Sequence, residues 1–159
     1  MSARANYAQQ SPELLKKLFE LSQASKAGSL GETLTDLVNI RASQLNGCAF
    51  CLDMHVKEAK LHGERELRVH HVAVWRESPL FSAKEKAALE WTETVTRLDG
   101  LGIDDEAYAR ARAQFSDKEL TELTFAVAVI NAWNRLSVAF QTVPGSLDAR
   151  YGLDKAGLK

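Results

Sequence analysis

Apolar residues recur at steps of three and four along most of this chain, and glycine, proline and capping residues fall between the runs. That periodicity predicts helices almost throughout. Ser11-Pro12-Glu13 opens the first, with serine at the N-cap, proline at the first helical position and an acid near the positive end of the dipole. Leu14, Leu15, Leu18 and Leu21 supply its stripe up to about Ala27, and Gly28 stops it. A second stripe runs from Leu30 through Leu34, Leu37 and Val38 to Leu45, where Asn46-Gly47 breaks it. The third helix starts at Cys48 and runs to His62, with Gly63 as its stop. Glu64 to about Arg76 is a shorter helix carrying Leu67, Val72 and Trp75. Ser82 caps the next, whose apolar face is Ala87, Ala88, Trp91, Val95 and Leu98. Asp104 to about Phe115 is short, and Ser116-Asp117-Lys118-Glu119 is a capping box that opens the last long helix. Phe125 to Ile130 is apolar all round, which predicts a helix at the buried centre. Pro144-Gly145 ends it.

The expected fold is therefore all-α, a compact bundle of about six to seven helices. Residues 1–145 form one domain, and 146–159 a weakly ordered tail or an arm packed on a neighbour. The length of 159 residues suits a single domain with a full apolar core.

Composition narrows the function classes. With 45% hydrophobic and 26% charged residues the chain reads as a globular protein. A net charge of −1 and a pI near 6.4 leave no electrostatic footprint for nucleic acid or an anionic membrane. The N-terminal residues offer no signal-peptide pattern, and no later run approaches the roughly 18 residues of a membrane span. The expectation is a cytoplasmic protein with neither a nucleic-acid nor a membrane partner. In a reducing compartment, two cysteines spaced C-x-x-C are catalytic or metal-binding sooner than a structural staple.

Those cysteines are Cys48 and Cys51, the only two in the chain, and His55 follows one helical turn later. On one helix, Cys48, Cys51, His55, Ala59 and His62 share a face. At that spacing the His55 imidazole can take the Cys51 proton, and the free N–H groups of a helix start favour a thiolate. A thiolate attacks a peroxide and becomes a sulfenic acid, which a second thiol one turn away condenses with to give a disulfide. Other readings stay open on spacing alone: an ordinary buried cysteine pair, or a zinc site with Cys48, Cys51 and His55 as three ligands and no fourth from a second C-x-x-C.

The segment from Leu37 to His55, with Gln44-Leu45-Asn46-Gly47-Cys48-Ala49-Phe50-Cys51 at its centre, resembles the core of the alkylhydroperoxidase D and carboxymuconolactone decarboxylase superfamily. The resemblance continues through Glu58-Ala59, Gly63-Glu64, Ala73 to Pro79 and Ile130 to Leu136, and so covers most of the chain. It implies an all-helical fold assembled as trimers or hexamers, and a thiol-dependent peroxidase or disulfide-reductase chemistry. Carried over by position, Cys51 is the peroxidatic cysteine, Cys48 its resolving partner and proton donor, and His55 the histidine of a proton relay. The family's relay glutamate falls on Asp36, one methylene shorter, and Glu32 one turn earlier could substitute. Phe50 stands where some members carry a histidine between the cysteines, which makes the pocket more apolar. The decarboxylase branch typically lacks the cysteine pair.

These residues together imply a thiol peroxidase that reduces hydrogen peroxide or small organic hydroperoxides. It would need no bound cofactor and would be re-reduced by an external dithiol protein or small thiol. The alternatives are a non-catalytic redox-sensing or zinc-binding helical oligomer and a decarboxylase-type enzyme. Elsewhere, Asn131, Asn134 and Arg135 interrupt an apolar helix and need partners, at the active-site pocket, at a subunit interface or in a buried network. His70 and His71 point to different helix faces and are expected at the surface, and His62 is expected to be structural. Trp75, Trp91 and Trp133 are expected to anchor the core or an interface.

Overall fold

The computed structural model describes residues 4–158, and every helix expected from the pattern forms within them. A single turn, α1 (Tyr7–Gln10), precedes α2 (Pro12–Lys26). Then come α3 (Glu32–Leu45), α4 (Ala49–Leu61) and α5 (Glu66–His71), the last prolonged by a 3-10 turn over Val72–Val74. After Pro79 follow α6 (Ala83–Arg97), α7 (Asp105–Arg112), α8 (Asp117–Phe140) and a short α9 (Asp148–Tyr151). Among the described residues there is no strand, and the fold is all-α.

The helix starts obey their local chemistry. Ser82 and Ser116 each close a full capping box with the glutamate three residues on, Glu85 and Glu119. Asp104 accepts the Ala107 N–H at 2.6 Å. Each such cap satisfies backbone donors that the first turn leaves unpaired.

At the centre stands α8, packed against α2, α3, α4 and α6. Its Leu120, Leu123 and Val127 meet Leu34 and Val38 of α3 and Ala88 and Trp91 of α6. A second group joins Leu37 and Ile40 of α3 to Ala59, Val72, Trp75 and Leu89. By length and composition alone α8 could cross a membrane, against the expectation that no run approaches such a span. Its inward face carries Asn131, Asn134 and Ser137, which pack inside the bundle.

Two segments depart from expectation. None of α2 is fully buried, and Leu14 is 73% exposed. Leu15 of that stripe, with Phe19 beside it, instead lines a cavity, described below. The segment after Pro144, expected as a loose tail or an arm on a neighbour, packs on α4 of its own chain. Leu153 and Ala156 are buried, and the buried Lys57 ammonium pairs with both Asp53 (2.8 Å) and Asp148 (2.6 Å). The Gly145 N–H adds a hydrogen bond to the same Asp53 carboxylate. A buried lysine needs such partners to stay charged. Here they outweigh burial, so its pKa rises.

Candidate active site

Backbone geometry fixes the cysteine pair before any side chain does. The Gly47 N–H donates to the Gln44 carbonyl and the Cys48 N–H to the Ser43 carbonyl, the two bonds of a Schellman closure of α3. That closure needs a left-handed residue, and Gly47 supplies it at φ +62°. Cys48, the residue that completes the stop, is also the N-cap of α4. One residue ends α3 and begins α4, so its sulfur has a determined place.

As an N-cap, Cys48 Sγ accepts the Cys51 N–H at 3.2 Å. Both cysteines are free thiols and both are buried. Cys51 lines a cavity of about 750 Å³ between α2, α4, α8 and the C-terminal segment, and Cys48 stands behind it. Phe50, Met54, Val129, Ile130 and Trp133 give the cavity its largely apolar wall, while Leu15 and Phe19 of α2 close it from above.

Electrostatically the two sulfurs are unequal. The Cys51 S–H donated to Cys48 is the main influence on Cys48, and burial opposes it. The Cys51 N–H, Asn134 and Ser137 add to the first, and together they lower the Cys48 thiol to about 7. Cys51 is pushed up strongly, because its own proton is held by Cys48, because it is buried, and because charge on Cys48 repels charge beside it. The sequence pattern placed the acidic thiol at Cys51, next to His55. In the structure it is the Cys48 thiol that is lowered, because the N-cap position gives that sulfur the donors.

His55 is buried, lines the cavity, and joins Nδ1 to Glu58 Oε2 at 2.7 Å. Burial works against a charged Glu58, but the His55 hydrogen bond and Lys26, 3.1 Å away, prevail and hold it at about 2. Lys26 ends α2, so this ion pair also ties the cavity roof to α4. The carboxylate that contacts His55 is thus Glu58. Asp36, the position inherited from the family pattern, instead bonds His62 Nδ1 at 2.7 Å. Its burial raises its pKa despite that partner, and the partner in turn raises His62. Glu32 is exposed at the start of α3 and acts through its charge on His62. The signal for Glu58 was present in the sequence, since it follows His55 by three residues on the same helix.

Behind the sulfurs lies a polar network. Asn46 Nδ2 donates to Asn131 Oδ1 (3.0 Å) and Asn134 Oδ1 (2.8 Å). Asn134 Nδ2 donates to Ser43 Oγ at 3.2 Å, and Asn131 Nδ2 to Thr96 Oγ1 at 2.9 Å. Arg135 donates to the Asn131 carbonyl and side chain. The asparagines therefore lock the α3–α4 corner to α8 and α6, and Asn134 also reaches both thiols. Ser137 does the same, a residue the sequence pattern did not single out. Among the described residues no three Cys, His, Asp or Glu side chains converge as a metal-binding set, so Cys48, Cys51 and His55 do not form the zinc cradle that spacing allowed.

Trp75 anchors the core as expected, its Nε1 on Glu93 at 2.8 Å, and Trp91 does likewise. Trp133 lines the cavity and donates to Ser22 of α2 at 2.7 Å.

The all-helical bundle is a fold shared with known proteins. Residues 12–94 match the carboxymuconolactone decarboxylase family model. The chain belongs to that family, within the superfamily that includes alkylhydroperoxidase D-like proteins. It is 38% identical over 139 residues to the uncharacterized protein YdfG of Bacillus subtilis, covering 87% of this chain and 95% of that one. The solved structure of ATU0492 from Agrobacterium tumefaciens, a protein of unknown function proposed to be the antioxidant defence protein AhpD, superposes with a TM-score of 0.86. It is 40% identical and covers 90% of this chain and 98% of the other. The debrominase Bmp8 shares the fold at a TM-score of 0.78 and 18% identity, covering 93% and 79%.

Proposed function

We propose that this protein is a thiol-dependent peroxidase in which Cys51 is the nucleophile and Cys48 the resolving thiol. The observation that carries the reading is the placement of the pair: Cys51 lines the cavity, and Cys48 sits one turn behind it with the lowered pKa. Cys51 passes its proton to the Cys48 thiolate and attacks one oxygen of a hydroperoxide. An S–O bond forms, the O–O bond breaks, and the leaving oxygen takes up a proton to depart as an alcohol or water. Sulfur is oxidised by two electrons and the peroxide reduced by two. Cys48 then attacks the sulfenic sulfur, an S–S bond forms and water leaves. Thiol exchange with an external dithiol protein or small thiol restores both cysteines. His55, held by Glu58, is the acid–base group at the cavity wall, and no bound cofactor enters. Hydrogen peroxide and organic hydroperoxides are the oxidants of this scheme. The setting in this reading is cytoplasmic, and the assembly a homo-oligomer.

Peroxide consumption in the presence of a dithiol tests the assignment. Cys51→Ser abolishes it, and Cys48→Ser leaves a sulfenic acid at Cys51 that a dimedone-type reagent labels. Turnover that survives both substitutions removes the thiol mechanism. It would favour a reaction run by His55 and Glu58 alone, of the decarboxylase kind.

A further inference from the structure

Ser137 lies on α8 three residues beyond Asn134 and faces the cysteine pair. It is 3% exposed, it lines the cavity beside Cys51, and its Oγ makes no well-aligned hydrogen bond. Hydroxyls within helices ordinarily return to the carbonyl one turn back. Thr92, Thr121 and Thr124 do so here, onto Ala88, Asp117 and Leu120. Ser137 does not. Among the described residues one other buried side-chain atom is similarly unbonded, Glu93 Oε2, and the Arg76 guanidinium 2.9 Å away compensates its charge. The Ser137 hydroxyl has no such compensation, and an uncommitted buried donor beside a reactive sulfur calls for a role.

The resting pair supplies one. Both the N–H and the S–H of Cys51 serve Cys48, so negative charge begins on the sulfur behind the cavity wall. For Cys51 to react, its S–H bond breaks, an S–H bond forms on Cys48, and the charge moves to Cys51. No electrons are gained or lost in that transfer. The new thiolate then needs donors of its own. Asn134 reaches it with the one Nδ2 proton left after its bond to Ser43, a donor already shared with Cys48. Ser137 favours the thiolate on either sulfur, while its hydroxyl makes no well-aligned bond that would hold it to one of them.

We propose that the Ser137 hydroxyl is the donor that receives the negative charge as it moves from Cys48 to Cys51, making the cavity-facing sulfur the nucleophile. This rests on the thiol reading above. Rotation about its C–O bond lets one hydroxyl follow the charge from one sulfur to the other, which a backbone N–H cannot do.

Iodoacetamide at limiting concentration, with the labelled cysteine located by tandem mass spectrometry between pH 6 and 9, tests this. In Ser137→Ala the labelling of Cys51 slows about tenfold and its pH midpoint rises by about one, the equivalence set by a tenfold change per pH unit. The melting temperature stays unchanged or rises, because the lost hydroxyl had no partner. Wild-type labelling of Cys51 by the variant overturns the proposal, and so does a variant that fails to fold, which would make the hydroxyl structural. Alkylation consumes no peroxide, so either result is readable whether or not peroxide oxidises the pair.

Discussion

His55 Nδ1 lies 2.7 Å from Glu58 Oε2, one turn along the same helix, and this contact makes Glu58 the carboxylate of the candidate site. Asp36 stands near enough for its charge to be felt there, but its hydrogen bond goes to His62. Glu58→Gln is expected to lower kcat/KM for peroxide by about 100-fold, the lower end of what a positioned acid–base group contributes. Asp36→Asn is expected to change it less than threefold. Steady-state rates of the two variants decide the matter, and a larger loss at Asp36 would return the relay to the position the family pattern suggested.

The charge on Cys48 depends chiefly on Cys51. Cys51→Ala removes both the S–H donor and the competing charge site, leaving the backbone N–H, Asn134 and Ser137. The Cys48 thiol is then expected to titrate above its present value of about 7, toward the ordinary thiol range near 8.5. Thiolate absorbance near 240 nm, followed against pH, measures this. A Cys48 midpoint that stays near 7 in the variant would mean that the helix start alone sets it.

The Asn134 side chain is fully buried and bonds Ser43 and Asn46. Asn134→Ala leaves partners on both sides without their bonds, at a cost of about 2–6 kcal/mol for two unsatisfied groups. Urea unfolding gives the loss directly. A change under about 0.5 kcal/mol would show that water takes the asparagine's place.

Stability should also carry the signature of the Asp36–His62 pair. His62 has a raised folded pKa, so its contribution is complete below the unfolded value of 6.5 and is lost as pH rises through the folded value. Asp36 is raised too, and its own contribution has the same sign, fading as pH climbs above 3.8. The melting temperature is therefore expected to fall from pH 6 to pH 8 by more in the wild type than in His62→Gln. Equal slopes in thermal scans would remove His62 as the source.

Much of this was legible in the sequence because local rules decided it. The capping boxes at Ser82 and Ser116, the stop at Gly47 and the apolar centre of α8 each follow from residues a turn or less apart. The position of Cys48 at a helix start follows in the same way. What could not be read was which polar group meets which across the bundle. The family resemblance put Asp36 at the relay position but could not tell that His62, not His55, would take its carboxylate. Nor could the pattern show that Leu15 of α2 would line a cavity instead of filling the core, or that Lys57 would bind the C-terminal segment through Asp148. Ser137 carried no signal at all, being a small residue whose meaning lies in the bond it does not make.

The central claim is that Cys51 and Cys48 are a working redox pair. Intact-mass and peptide mass spectrometry of the reduced protein after one equivalent of hydroperoxide tests it most directly. The account predicts the loss of the two thiol hydrogens and a Cys48–Cys51 disulfide within one peptide. Both thiols remaining free, with the peroxide unconsumed, would contradict it.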